Sequence, residues 1–528
     1  MLIMGDISGI QDFLFDIPSS GGGQARMLRA RSIRLQMLAD CAALKMLLRL
    51  GLSRESLLLC AAGKFVIKSP DGLGDKVRAA ALDIEDLVLR TYAGRLRFAY
   101  SVASNGTVAM QYDEAFRSLR WQKLRPFAPV LASGKWDVGR LCLREAPVRA
   151  AEAEADREFG RQIVTHRFIY LCESGPEAGR GAANLLGFSP IFSDTATPPV
   201  EARAFYTLQG FKTVGAAGGL IEFPCPARHV PSTDSGEPLE FSQIANRAAG
   251  ADYLAVLKAD ADNLGAAVGN RLRNANDLDG LKELSVRLHN FFARSLNDDL
   301  NSPRWQHIYC IFAGGDDLLL AGPWDAMLAF ASALNTKFCA AFKADGLTLS
   351  AGISICKARR PIRSAVQEAD EALDLAKTRP AAGGGARKNQ VCVLGAVMGW
   401  PAFADLLRRG GEVSKWVQED VVSRGALRNI FDLALLRNGQ GRQCKGLAPK
   451  LATSRLAYHI GRNFGQKGGA GKPQSRQSLE WAKSLLAAFD GSPGVAVGGG
   501  GLGTLIPLLR YTLLATRQKD KGFEDAIP

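Results

Sequence analysis

The chain has 528 residues, 47% hydrophobic and 22% charged, a near-average globular composition that excludes a disordered, collagen-like or acidic solvating protein. At roughly 100–200 residues per domain, it holds about three to four domains. Sixty-six Lys and Arg against 52 Asp and Glu leave a net charge of +14, which favours anionic partners such as nucleic acid or nucleotides and is silent about fold.

The start, Met1-Leu2-Ile3-Met4-Gly5-Asp6, lacks a basic region followed by a long apolar stretch, so no signal peptide is expected. No run of about 20 apolar residues occurs, so no transmembrane helix or membrane partner is expected. The ten cysteines form no C-x-x-C pair and sit singly in apolar runs, as small core residues do in a reducing cytoplasm.

The pattern predicts a strand over the first residues and a helix from Ala25 to Leu50. Short strands follow at Ser56–Cys60 and Lys64–Ile67, then a helix at Leu73–Tyr92 and a strand at Arg97–Tyr100. This β-α-β-β-α-β order is the ferredoxin-like split unit. Residues 116–235 are less periodic and read as an irregular linker domain.

A second unit starts near 250. Strands are predicted at Tyr253–Lys258, Ile308–Ala313, Leu318–Ala321, Leu347–Ile355 and Val391–Leu394. Helices are predicted at Leu278–Leu300, Asp325–Phe342 and Pro361–Lys377. The same order recurs, so the chain reads as an α+β protein with a diverged internal duplication. Its expected domains are 1–115, 116–235, 236–396 and 397–528. The last is helical and basic, with helices at Trp400–Arg409, Val413–Val422, Arg424–Arg437, Leu451–Arg462, Ser478–Phe489 and Leu502–Arg517. Its cations, among them Lys445, Lys450, Arg455, Arg462, Lys467, Lys472 and Arg476, suit phosphate contacts to RNA or a solvated face that docks protein subunits.

Two acidic clusters in the second unit carry the chemistry. Asp260-Ala261-Asp262-Asn263-Leu264-Gly265 follows the first strand, and Gly314-Gly315-Asp316-Asp317 forms the next hairpin. In a β-α-β-β unit the two converge at one sheet end. Crowded carboxylates repel unless divalent cations lie between them, and glycines let a triphosphate approach the backbone. Each motif alone has a plainer reading. Gly-Gly-Asp-Asp is an acceptable hairpin turn, Asp262-Asn263 an acceptable helix cap, and Lys377 an ordinary lysine at a helix C-terminus. Their order on the predicted strands favours the site.

These residues, with Ser350-Ala351-Gly352-Ile353 and the Ala369-to-Lys377 helix, resemble the palm domain shared by diguanylate cyclases and CRISPR polymerases. Gly5-Asp6-Ile7-Ser8-Gly9-Ile10-Gln11-Asp12-Phe13, Leu28-Arg29-Ala30-Arg31-Ser32, Gly63-Lys64-Phe65 and Arg228-His229-Val230-Pro231 resemble the large subunit of type III CRISPR–Cas effector complexes. The resemblance implies two ferredoxin-like palms, a linker and a C-terminal helical domain. It implies ATP polymerised into cyclic oligoadenylate when target RNA binds a complex of guide RNA and other CRISPR-associated subunits. Two Mg²⁺ or Mn²⁺ ions would be held at Asp260, Ala261, Asp316 and Asp317. Asp260, Asp316 and Asp317 would be catalytic, with Asp317 either a metal ligand or the group activating the 3′-hydroxyl. Asp262, Asn263, Leu264, Gly265, Gly314, Gly315, Ser350, Lys377 and Lys388 would face the nucleotide. Adenine rather than guanine rests on the resemblance alone.

The first palm has Ala61-Ala62-Gly63-Lys64 at its hairpin and is expected to be non-catalytic. It begins at residue 1, and the five histidines include no His-Asp pair, so the family's histidine–aspartate nuclease is not expected. Cys142, Cys172, Cys225 and His229 are poorly spaced for zinc and read as scattered core residues. A stand-alone nucleotide cyclase, a catalytically silent structural subunit and a template-dependent polymerase are the alternatives.

Overall fold

The computed structural model describes the chain except residues 17–23, 62, 93, 126–145, 175–183, 209–219, 224, 226–227, 235–237, 276–277, 316, 381–386, 440–447, 465–472, 490–501 and 518–528. Asp316, Cys142, Lys445, Lys467, Lys472 and the glycine-rich insert at 381–386 therefore lie outside the described residues. The chain divides into two compact units, Met1–Glu240 with Asn263–Leu319, and Phe241–Asp262 with Leu320–Pro528.

The first unit opens with β1 (Leu2–Ser8), α1 (Ile10–Phe15), α2 (Gln24–Leu50), β2 (Leu57–Ala61), β3 (Lys64–Lys68), α3 (Gly74–Tyr92), β4 (Arg97–Ala103) and α4 (Val108–Lys123). The strands form an antiparallel sheet of order β2-β3-β1-β4, the arrangement of a split β-α-β-β-α-β unit. Gly5 has a packing reason: a Cβ there would collide with the Phe65 ring. α4 packs on β1 and β4 and runs through residue 115, where the first palm was expected to end.

The region expected to be irregular has regular structure of its own. α5 (Ala146–Thr165) precedes a sheet of order β6-β5-β7-β8, built from β5 (Phe168–Glu173), β6 (Phe188–Ser193), β7 (Ala202–Thr207) and β8 (Ile221–Phe223). β7 buries Ala204, Phe205 and Tyr206 in succession, so it shows no period of two that the sequence could reveal. Buried Asp156 on α5 takes Arg31 Nε at 2.7 Å and Arg34 at 2.6 Å from α2. One carboxylate thus satisfies two buried guanidinium groups.

In the second half of the chain, α6 (Phe241–Ala245) leads into β9 (Tyr253–Asp262). Then come α7 (Leu264–Ala275), α8 (Leu278–His289), a π-helical turn (Asn290–Ser295), α9 (Leu296–Leu300), β10 (Tyr309–Gly314), β11 (Asp317–Pro323), α10 (Trp324–Phe342), β12 (Thr348–Lys357), α11 (Ile362–Thr378), β13 (Gln390–Val393) and β14 (Ala396–Gly399). Their strand order is β10-β11-β9-β12-β13-β14. Its first four strands repeat the order of the first sheet. β14 and α7 were not anticipated.

The rest of the second unit is helical: α12 (Trp400–Gln418), α13 (Arg424–Arg437), α14 (Ala448–Asn463), α15 (Pro473–Phe489) and α16 (Leu502–Ala515). α12 is one helix where two were expected. The Gly410-Gly411 pair lies between the two expected helices, and a Cβ at Gly410 would collide with the Tyr511 ring of α16. Close helix approach outweighs the roughly 1 kcal/mol helix penalty of glycine.

Candidate functional site

Residues 258, 260 and 262 alternate with 259 and 261 along β9, so Lys258, Asp260 and Asp262 share one face. α11 lies over that region, burying the stripe Ile362, Ala365, Val366, Ala369, Leu373 and Ala376. It sits very close to β12, because a Cβ at Gly352 would collide with the Ala369 carbonyl oxygen and the Leu373 nitrogen. Gly352 thereby sets the height of α11 above the sheet. Two ion pairs cross the gap, Lys258 to Asp370 and Lys377 to Asp260. Side chains of Asp260 and Lys377 are each about a quarter exposed, at 24% and 28%, so Asp260 is reachable from solvent.

Asp262 differs. It is 2% exposed and lies in the strand opposite Thr348, rather than in a loop. Its carboxylate accepts from Ser350 Oγ at 2.9 and 2.8 Å, from Thr348 Oγ1 at 2.9 Å and from the Asn389 N–H at 2.9 Å. Lys388 and Asn389 both have positive φ, 69° and 52°, a reversal that delivers this N–H. Asp262 is thus a tie between β9, β12 and the Asn389 turn. Ser350 was expected at the nucleotide and is fully buried as a donor to Asp262. Lys388 is exposed on its turn. Thr348, Asn389, Lys258 and Asp370 were missed; only the every-second-residue spacing of Lys258 from Asp260 signalled its role.

The other expected residues belong to the first unit. Asn263 has φ 65° and α7 begins at Leu264. Gly315, in the β10–β11 hairpin, has φ 68°, a conformation that costs glycine least. Gly314 would bring a Cβ to 3.1 Å from Gln36 Oε1, and Asp317 opens β11, half-buried. Leu264, Gly265 and Gly315 line a cavity of about 530 Å³ in the first unit, large enough for a drug-sized ligand. Its remaining walls include Cys60 and Lys64 of the first hairpin, Phe116 of α4, and Ser285, His289 and Asn290 of the α8 region. Burial, reinforced by Arg294, lowers His289 to about 4, so its imidazole is neutral at pH 7.

Among the described residues no group of three His, Cys, Asp or Glu side chains is assembled for a metal. The candidate ligands Asp260, Ala261 through its carbonyl, Asp316 and Asp317 form a hard oxygen set, which fits Mg²⁺ or Mn²⁺ and not a soft metal. In the linker, Cys172 is buried in β5. The His229 ring nitrogens meet Asn301 Oδ1 at 2.8 Å and the Gln306 carbonyl at 2.9 Å. No described helix is long and apolar enough to cross a membrane.

Comparison with known proteins identifies the family. Residues 253–391 match the model of the Cas10/Cmr2 second palm domain, and residues 1–127 match Csm1 subunit domain B. The chain belongs to the Cas10/Csm1 family. It is 27% identical over 431 residues to the CRISPR system single-strand-specific deoxyribonuclease Cas10/Csm1 (subtype III-A) of Mycobacterium tuberculosis, covering 72% of this chain and 53% of that one. It is 26% identical over 492 residues to the protein of that name from Enterococcus italicus, covering 87% and 63%. The chain thus spans about half the length of the Mycobacterium relative. Among solved structures, the Csm1–Csm4 cassette in complex with cA3 matches with TM-score 0.70 at 18% identity, covering 98% of this chain and 69% of that one. The cassette in complex with AMPPNP matches with TM-score 0.68 at 19% identity, covering 98% and 69%. Those likenesses establish the Csm1 fold for this chain.

Proposed function

We propose that this Cas10/Csm1 chain is the large subunit of a type III RNA-guided effector and converts ATP into cyclic oligoadenylate when target RNA pairs with the guide. Its partners are the guide and target RNA and other CRISPR-associated subunits, a subunit of the Csm4 kind among them. The second palm is the catalytic one. The observation that carries the reading is the solvent-reachable Asp260, held by Lys377 beside a fully tied Asp262, in a chain that retains Gly314-Gly315-Asp316-Asp317. Support also comes from the relatives' solved cassettes, which include complexes with cA3, cA4, AMPPNP and one ATP.

In this reading Asp260, Asp316, Asp317 and the Ala261 carbonyl would hold two divalent cations, whose chemistry would be charge neutralisation at the phosphates and the departing pyrophosphate. Asp262 and Ser350 fix the strand end so that Asp260 keeps its direction. Lys377 exchanges its carboxylate partner for triphosphate oxygens, and Lys388 adds a second cation. Gly314 and Gly315 let phosphates approach the backbone, and the start of α7, Asn263 to Gly265, offers N–H groups to them. No deoxyribonuclease activity is assigned to these residues, because the five histidines include no His-Asp pair.

The test is labelled ATP and GTP with Mg²⁺ or Mn²⁺, given to the reconstituted complex with and without complementary RNA. Target-dependent cyclic oligoadenylate, lost in the Asp316→Ala/Asp317→Ala complex, is expected. Product from the isolated chain regardless of RNA marks a free cyclase, and no product from a well-assembled complex overturns the enzymatic reading.

A further inference from the structure

The helical region of the second unit carries an unusual charge distribution. Between Asp432 and Glu480 the sequence contains nine Lys and Arg and no acidic residue. α14 lies within this stretch. It buries Ala452, Leu456, Ile460 and, just beyond its end, Phe464, packing against α13 and α15. His459 is fixed on that side, its Nε2 3.0 Å from the Ala426 carbonyl.

The outward side is different. Leu451, Arg455, Tyr458 and Arg462 recur at i, i+4, i+7 and i+11, which places them within about 60° of one another around the helix. Tyr458 is 70% exposed and Leu451 46%, and both arginines are exposed. Ser454, Ala457 and Gly461, also beside Tyr458, are small and exposed, so the bulky side chains next to the ring on this side are the two arginines. On the adjoining helices Arg428 is neutralised by Asp432 and Arg476 by Glu480, while Arg424 and Arg437 donate to the Leu513 and Phe489 carbonyls. Arg455 and Arg462 have no carboxylate partner among the described residues. They stand about 10 Å apart along the axis with the tyrosine between them.

An exposed aromatic ring between two uncompensated guanidinium groups is the chemistry that holds a single strand. Bases stack on the ring and phosphates take the cations. We infer that the Leu451–Arg462 face of α14 binds single-stranded RNA, with one base on Tyr458 and flanking phosphates on Arg455 and Arg462. The choice of RNA over DNA rests on the proposed function; the strand chemistry does not.

The test is fluorescence anisotropy of a labelled single-stranded RNA with the full chain, read without nucleotide so that it stays informative even where no cyclic product forms. Tyr458→Ala is expected to weaken binding about 5- to 100-fold, while Tyr458→Phe stays near the parent. Arg455→Gln/Arg462→Gln should lower the slope of log affinity against log salt by about 1.4. Circular dichroism and thermal unfolding should be unchanged, since these side chains point to solvent. RNA binding with the parent's affinity and salt slope in all variants overturns the inference. So does loss only of subunit assembly, which marks a protein-docking face, and so does tighter binding of DNA of the same sequence.

Discussion

The two palms share a scaffold and diverge where the chemistry would be. In the first, β1 ends at Ser8, Gly9 turns with φ 88° and a helix begins at Ile10. In the second, β9 ends at Asp262, Asn263 turns with φ 65° and a helix begins at Leu264. Matching these ends sets Asp6 against Asp260 and Ser8 against Asp262. The lysine is duplicated too: Lys123, at the end of α4, pairs with Asp6 at 2.7 Å, as Lys377 near the end of α11 pairs with Asp260. What the first palm lacks is everything around that pair. Asp6 stands opposite Ala99 and Ser8 opposite Arg97, where Asp260 and Asp262 stand opposite Ser350 and Thr348. The first residue of the hairpin's second strand is Lys64 in one copy and Asp317 in the other. Asp6 is also buried, which raises its pKa against the pull of Lys123 and Lys64, whereas Asp260 is reachable. Lys123 and Lys64 offset the charge of Asp6, whereas in the second copy an aspartate stands where Lys64 does.

That contrast gives the largest predicted effect. Asp260→Ala should lower target-dependent cyclic oligoadenylate formation by about 1,000-fold or more, whereas Asp6→Asn should leave the rate within about fivefold. Equal losses would show that both copies act in catalysis. Next in size is Gly352→Ala. The added methyl has nowhere to go beneath α11, so the helix must lift, costing about 1–3 kcal/mol. Activity should fall along with the melting temperature, because Lys377 rides on that helix. An unchanged melting temperature would remove Gly352 from this role.

Much of the scaffold was legible because each copy obeys simple periodicities. α11 shows its buried face every three to four residues, and the strand–turn–strand around Gly314-Gly315 is bounded by apolar runs. The reachable carboxylate Asp260 was legible from its place after an apolar strand. The role of Asp262 was not. Its partners Thr348, Ser350 and Asn389 lie 86 to 127 residues away, and local pattern carries no information at that range. Gly352 was read as part of a motif, but its reason, a helix backbone pressed against the strand, is a tertiary contact. The sheet of residues 168–223 was lost for another reason. Its strands of three to six residues are too short for a period of two to stand out among glycines and prolines.

A smaller effect tests the tie itself. Ser350→Ala should cost about 10-fold in turnover, the scale for partners that orient a ligating group, with little change in ATP affinity. Asp262→Asn, which keeps the shape but weakens the accepted hydrogen bonds, should act in the same direction. The first palm has Ala99 in place of this serine, so Ala99→Ser should change nothing.

The smallest effect concerns pH, and here the two halves of the chain pull in opposite directions. Asp40 on α2 is wholly buried and pushed up to about 6 by desolvation, despite hydrogen bonds from Tyr206 Oη at 2.7 Å and Cys60 Sγ at 3.0 Å. Between the ordinary carboxyl value of 3.8 and about 6, the folded state therefore binds more protons than the unfolded one. Its stabilising contribution is complete below 3.8 and is lost as pH rises through 6. His289 on α8, lowered to about 4, does the reverse. Between about 4 and 6.5 the unfolded state takes the proton, so stability is lost as pH falls. Relative to the parent, Asp40→Asn should make stability rise more steeply with pH across 4 to 6, by about 1 kcal/mol per pH unit, and His289→Gln should change the slope by the same amount in the opposite sense. Denaturant titrations at half-unit steps would measure both slopes. A parallel pair of curves would mean that neither group keeps its burial in solution. Opposite slopes would show that the first palm's helix and the cavity's histidine each hold a buried charge state chosen by the fold.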